Sequence, residues 1–265
     1  MALRQVYSGS SLGFSEIVDL FQLKSSQTIV KNRYFDMVKA KNEPLEPGES
    51  VIFELGTQAT TAVLLNESCI EIEGKIQKRE ASTGNLVDIV EGDIVGPTNY
   101  FLQNLWHKAD VSSNEVDMTR VRSCTNHVCY VRMLLNDTTN PVSDAELSGQ
   151  MACRTESDIE ATDPFAETGA AETFKDRATE MKLSKTVCLR GRLGLDLFEL
   201  DRLWLPGTPL TIKLTQNDSK CILIAPNNNT QYKFVLEKVH LVLCKYKLYS
   251  SGKTFYYNSC TTVLY

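Results

Sequence analysis

The stretch "GRLGLDLFELDRLWLPGTPLTIKL", Gly191–Leu214, sets leucines at short, regular spacing and places two acids, Asp196 and Asp201, among them. Leu193, Leu195 and Leu197 alternate with polar or small residues, the period of a strand with one buried face. Pro206 and Gly207 punctuate the run as a turn. Beyond them Leu210, Ile212 and Leu214 fall on one face, with Thr211 and Lys213 on the other. The stretch therefore reads as strand, turn, strand, with its leucines facing a core.

Strand signals recur on both sides. Downstream, "CILIAP" (221–226) reads as a short buried strand and "NNN" (227–229) as a turn. "YKFVLEKVHLVLCKYKLYSSG" (232–252) is one long strand, or two joined at an irregularity. Its apolar face moves from Phe234 and Leu236 to Val239, Leu241 and Leu243, one register step, which places a bulge near Glu237–Lys238. Upstream, "SVIFELG" (50–56) puts Val51, Phe53 and Leu55 on one face. In "TTAVLLNESCIEIEGKIQKRE" (60–80), Ile70, Ile72, Gly74 and Ile76 alternate with Cys69, Glu71, Glu73 and Lys75, the pattern of an antiparallel strand with one wet face. "STGN" (82–85) and Gly96–Pro97 read as turns. Leu102, Leu105 and Trp106 fit one short helical face, and "HKADVSSNEVDM" (107–118) is extended. "HVCYVRMLLN" (127–136) fits either a strand or a short helix. Many short strands punctuated by turns define an all-β class, an antiparallel sandwich or barrel, with short helices in its long connections.

Composition sets the boundaries. The 265 residues suffice for one large domain or two small ones. The first 45 residues show no sustained period and read as an extended arm, closed by the prolines and glycine of "EPLEPGES" (43–50). The domain is expected over 46–250. Between Pro141 and Glu180 ten acids face three bases and the apolar content is mainly alanine, so 141–180 reads as an acidic loop insertion, helical near "ETFKDRATEMK" (172–182). Residues 251–265 form a tail or the start of a second domain.

The same numbers narrow the function. A net charge of −5 and an isoelectric point near 5.4 argue against nucleic-acid binding by bulk electrostatics, and no direct nucleic-acid site is evident. The chain shows no signal-peptide core and no run that approaches a membrane span, which points to an intracellular protein. On that reading the acceptor patterns at Asn66, Asn136, Asn217 and Asn228 arise by chance. Eight cysteines at 69, 124, 129, 153, 188, 221, 244 and 260 include no CxxC pair, and read as thiols mostly buried in strands. His107, His127 and His240 show no HxH or HExxH spacing, and no GxSxG, Walker A or GxGxxG motif is present. Asp196 and Asp201 form a candidate carboxylate pair for a hydrolase. Set against that, acids at a strand-to-turn junction accept backbone hydrogen bonds or pair with Arg192 or Arg202. Trp106 and Trp204 are candidates for stacking on a sugar or base, but each lies among leucines, where core or interface packing is the simpler role. No catalytic, cofactor-binding or metal-ligating residue is assigned.

The segment from Gly191 to Leu223 resembles the double-jelly-roll major capsid proteins of Maverick/Polinton-type, adintovirus-like elements. The matching residues are Gly191, Leu193, Asp196, Phe198, Asp201, Arg202, Leu205, Gly207, Ile212 and Leu214, followed by the strand "YKFVLEKVHLVLCKYKL". Upstream, "VDLFQLKSSQTIV" (18–30) is similar to the family's N-terminal arm and "PGESVIFELG" (47–56) to its first strand. Gly96, Pro97, Asn99, Leu105 and Asp110 match the following segment, and "ETFKDRATEMKLSKTVCLRGRL" (172–193) the lead-in to the leucine-rich strand. The order agrees from about residue 16 to residue 250. The resemblance implies a jelly roll that self-associates into trimeric capsomers with other capsid proteins, without catalysis or a cofactor. It also implies a missing second jelly roll, since this sequence stops at Tyr265. Glu115 stands where the family favours glycine, so the hairpin after Ser112–Asn114 is expected to differ locally. The alternative is a soluble β-sandwich that binds a ligand or glycan through Trp106 or Trp204.

Overall fold

The computed structural model describes residues 30–42, 50–56, 58–98, 100–119, 124–136, 172–226 and 231–249. Its frame is two antiparallel sheets. The first is built on β12 (Tyr232–Leu248), flanked on one side by β1 (Val30–Lys39) and on the other by β3 (Thr61–Arg79). β3 in turn pairs with β4 (Leu86–Asp88), β8 (Val187–Gly191) and β9 (Leu203–Trp204). The second sheet runs β2 (Ser50–Leu55), β10 (Leu210–Gln216), β6 (Trp106–Ser113), β7 (Val116–Asp117). A two-residue strand β5 (Gly96–Pro97) pairs with β11 (Leu223–Ile224) outside both.

The pairings define the connectivity. β1 with β12, β2 with β10, β3 with β8 and β6 with β7 are the four rungs of one long hairpin, and β12 with β3 and β10 with β6 are the contacts made when it rolls up. That is a jelly roll, a sandwich form of the all-β class, sandwich or barrel, that the alternation predicts.

Period-two patterning explains why the sheets close on each other. Ile70, Ile72 and Ile76 from β3, Val239, Leu241 and Leu243 from β12, Val51 and Phe53 from β2, and Leu210, Ile212 and Leu214 from β10 are all essentially inaccessible to solvent and belong to one continuous core. Each fully buried side chain of this size contributes roughly 1.5–3 kcal/mol of transfer free energy. At one end Phe234 meets Phe101 edge-on, with ring centroids 4.9 Å apart. The bulge expected near Glu237–Lys238 is present: the register of β12 against β3 shifts between Leu236 and Lys238.

Several expectations need correction. The sandwich takes in residues ahead of 46, because β1 pairs along β12 from Val30↔Leu248 to Lys39↔His240. β1 escaped the pattern because its residues are exposed or half-buried throughout, and among the described residues it lies at the edge of the sheet. Gly96–Pro97 is a buried strand and not a turn. Phe174 and Ala178 of helix α3 (Glu172–Glu180) press against Gly96 where a Cβ would lie, 2.9 Å away. "HVCYVRMLLN" belongs to helix α2 (Thr125–Asn136), following the one-turn helix α1 (Phe101–Asn104). α3 begins where the acidic insertion was expected to become helical; residues 137–171 and 250–265 lie outside the described residues, as does the "NNN" turn. "CILIAP" splits into the end of a one-turn helix, α5 (Ser219–Ile222), and β11.

The opening stretch departs most from the reading. Leu193 and Leu195 are buried as the alternation demands, yet the chain leaves the sheet after Gly191 and turns into the one-turn helix α4 (Asp196–Glu199). A side chain replaces the ladder there. Gln103, itself buried, donates from Nε2 to the Arg192 carbonyl, and its Oε1 accepts the Gly194 N–H at 3.3 Å. Cys129 donates its thiol to the Gly194 carbonyl at 3.1 Å. A Cβ on residue 194 would lie 2.6 Å from Cys129 Sγ, so the glycine is a packing requirement. Leu200 and Leu205 face solvent, contrary to the expectation that all leucines of this stretch point inward.

Candidate functional site

Asp196 and Asp201 lie in different surroundings, one on a cleft and the other against β3. Asp196 opens α4 and is exposed on an open cleft of about 480 Å³. Val111, Met118, Val128, Leu195, Leu197 and Leu200 give that cleft apolar walls, with Thr119 and Thr125 beside them. Asp201 lies beyond α4, exposed, and accepts from Asn66 Nδ2 at 3.3 Å across to β3. Among the described residues lining the cleft, Asp196 is the one acidic or basic side chain.

The tryptophans are packing residues. Trp106 is 2% exposed within the core, whereas Trp204 is half-buried against it and donates its indole N–H to the Thr208 carbonyl at 3.0 Å. His107 and His240 lie in β6 and β12, and His127 lies in α2. No group of three or more His, Cys, Asp or Glu is placed to hold a metal ion among the described residues. The thiols divide by place. Cys129 and Cys244 are buried, Cys69 is half-buried, and Cys124, Cys188 and Cys221 are exposed, which corrects the expectation that most are buried; Cys153 and Cys260 lie outside the described residues. Burial pushes the Cys244 thiol above its ordinary range.

The polar groups that do converge are structural, and their sequence spacing conceals them. Asp93, between β4 and β5, accepts from Lys78 Nζ at 2.6 Å, the Tyr232 hydroxyl at 2.8 Å and the Val90 N–H at 3.1 Å. Burial alone would raise its affinity for a proton, but these three donors outweigh that and hold it below the usual carboxylate range. Tyr232, desolvated and bonded to that carboxylate, is pushed up to about 12. The cluster fastens the β4–β5 connection to β3 and β12. Nearby, Ser184 donates to the Ile76 carbonyl at 2.6 Å and accepts the Ile89 N–H at 2.9 Å, at a left-handed φ of 55°. Both devices join residues far apart in sequence, and no local motif announces either.

The hairpin between β6 and β7 shows what Glu115 does. Asn114 and Glu115 both take positive φ, 48° and 65°, between the paired Ser113 and Val116. The tight two-residue turn is kept, with glutamate in a conformation that favours glycine.

What the geometry presents is therefore two antiparallel sheets closed on one continuous core. No protein-family model and no curated protein sequence matches the chain. Among solved structures it is similar to that of the Sputnik virophage, with a TM-score of 0.51 and 10% identity, covering 94% of this chain and 53% of that one. The Faustovirus major capsid protein gives a TM-score of 0.45 at 6% identity, over 94% of this chain and 58% of that one. The mavirus major capsid protein gives 0.44 at 9% identity, over 93% and 52%. The chain spans about half the length of these structures. At such identities the likeness is one of fold: this jelly roll is of the kind found in the virophage particle.

Proposed function

We propose that the chain is a capsid-type building block, a jelly-roll wedge that packs beside copies of itself and other capsid proteins in a shell and carries no active site. The observation that carries this reading is the rolled hairpin of β1–β12 and its filled core, which aligns over 94% of the chain with the virophage structure. The collinear resemblance to Maverick/Polinton-type capsid proteins supports the same role and suggests that the chain corresponds to the first of two jelly rolls. A wedge of this kind works through shape and rigidity. Its inner faces are consumed by packing, which leaves edges and connections for contact with neighbours. Assembly inside the host cell fits this reading. No helix among the described residues is long and apolar enough to cross a membrane.

Light scattering coupled to gel filtration, with negative-stain microscopy of the full chain, tests the proposal. Three-chain capsomers or curved sheets of them are expected. A species that stays monomeric at every concentration and salt condition would overturn it.

A further inference from the structure

We infer that residues 89–95, between β4 and β5, form an acid-operated flap: protonation of Asp93 unlatches it from β3 and β12 while the two sheets stay closed. The inference rests on the hydrogen-bond geometry at Asp93 and is independent of the capsid reading.

The flap has two fixed ends. At one, β4 pairs with β3, and beside it the Ile89 N–H donates to Ser184 Oγ at 2.9 Å. At the other, β5 pairs with β11 and Gly96 is pressed by Phe174 and Ala178 of α3. Between these anchors the chain belongs to no strand. It gives Ile89 and Val95 to the core, while Val90 and Ile94 are exposed. One carboxylate draws the middle inward. The Asp93 N–H donates to the Val90 carbonyl at 2.9 Å and Asp93 Oδ2 accepts the Val90 N–H at 3.1 Å, so the acid closes the turn it sits in. Its Oδ1 then reaches the sandwich, accepting from Lys78 Nζ on β3 at 2.6 Å and from the Tyr232 hydroxyl on β12 at 2.8 Å.

All three partners donate, which makes the latch sensitive to a proton. An ionised carboxylate suits three donors, whereas a protonated one turns one of its oxygens into a donor. The Lys78 ammonium and the Val90 N–H have no acceptor to offer it, and a buried donor left unpaired is costly. Burial opposes the charge on Asp93, yet the Lys78, Val90 and Tyr232 donors outweigh it and hold the carboxyl below the usual carboxylate range. The closed flap therefore takes up a proton less readily than the open one. Closure is favoured above the ordinary aspartate range and is lost as pH falls through that range to the folded value. Two other acids flank the flap among the described residues. Asp88 meets Lys75 at 3.2 Å and Gln77 at 2.9 Å, and Glu91 meets Lys182 at 3.1 Å. Their side chains are 61% and 85% exposed against 9% for Asp93, and exposed pairs contribute little. The switch is thus Asp93.

Residue-resolved hydrogen exchange of the full chain, followed as protection factors from neutral pH into acid, tests the inference. The Val90 and Asp93 amides should lose protection by about tenfold per pH unit below the ordinary aspartate range, the slope of a single linked proton, while amides of the β12–β3 ladder keep theirs. In Asp93→Asn the same two amides should already be about tenfold less protected at neutral pH and should change little with acid. Lys78→Met keeps the stem over the Tyr232 ring and removes one donor, so the acid-dependent fall should persist but be smaller. Protection at Val90 and Asp93 that ignores pH in the wild type would overturn the inference. So would a fall as steep in Asp93→Asn as in the wild type, or a loss shared in step by the β12–β3 amides, which would mean that the sandwich opens as one.

Discussion

β1 and β3 flank the same strand, β12, and differ in almost everything else. β3 runs for nineteen residues and buries Ile70, Ile72 and Ile76 completely, with a neighbour on each side. β1 runs for ten and turns only Val38 against the core as a partly buried side chain. Ladder hydrogen bonds are common to both, so the difference in what they contribute comes from burial. A central strand is specified by its side chains, whereas an edge strand is specified mainly by the neighbour it finds.

The sharpest way to break this comparison is to truncate one side chain in each strand. Ile72→Ala should cost about 2–5 kcal/mol, because a fully enclosed site cannot collapse around the cavity. Met37→Ala, at an exposed position, should stay within about 0.5 kcal/mol. Urea unfolding at a dilution that keeps the chain monomeric measures both, and similar losses would mean that β1 is as enclosed as β3.

A smaller effect comes from the Asp93 cluster, which ties the β4–β5 connection to the strong side of β12. Asp93→Asn, which leaves Lys78 without its carboxylate, should cost about 1–3 kcal/mol at neutral pH. The sign with pH follows from the direction of its shift. The folded-state value is depressed, so the stabilisation is present above the ordinary aspartate range and is lost as pH falls through that range to the folded value. The gap between wild type and variant should therefore narrow in acid. A gap that holds constant from pH 7 to pH 3 would remove Asp93 from the account.

The smallest expected change has the opposite sign. Glu115→Gly relieves a left-handed glutamate in the β6–β7 turn and should stabilise the chain by about 0.5–1 kcal/mol, read as a rise in thermal midpoint. A loss of stability would show that the glutamate side chain makes a contact worth more than the relief.

How far the sequence led depends on the same contrast. Strands with one buried face were legible from spacing alone: Val51–Phe53–Leu55, Leu210–Ile212–Leu214 and the β12 bulge after Leu236 lie where period two and its one-step slip place them. β1 was hidden because none of its residues is fully buried and its half-buried face carries Asp36 beside Val38, so no apolar alternation marks it. The 192–205 region misled for another reason. Its leucines alternate, but Gln103 and Cys129 supply the hydrogen bonds that a neighbouring strand would have made, and those residues come from elsewhere in the chain. Candidate sites divided in the same way. The packing role of Trp106 followed from its leucine neighbours, whereas Asp93 with Lys78 and Tyr232, or Ser184 between Ile76 and Ile89, are meetings that only the folded topology creates.

The central claim is that one strand, β12, lies between β1 and β3 in a rolled antiparallel hairpin. Backbone nuclear Overhauser contacts in the deuterated chain test it directly. His240 should show cross-strand contacts to Lys39 on one side and Glu71 on the other, with the same two-sided pattern along β12. Contacts to only one of those segments, or the short-range pattern of helices across 232–248, would contradict the jelly roll and every conclusion that rests on it.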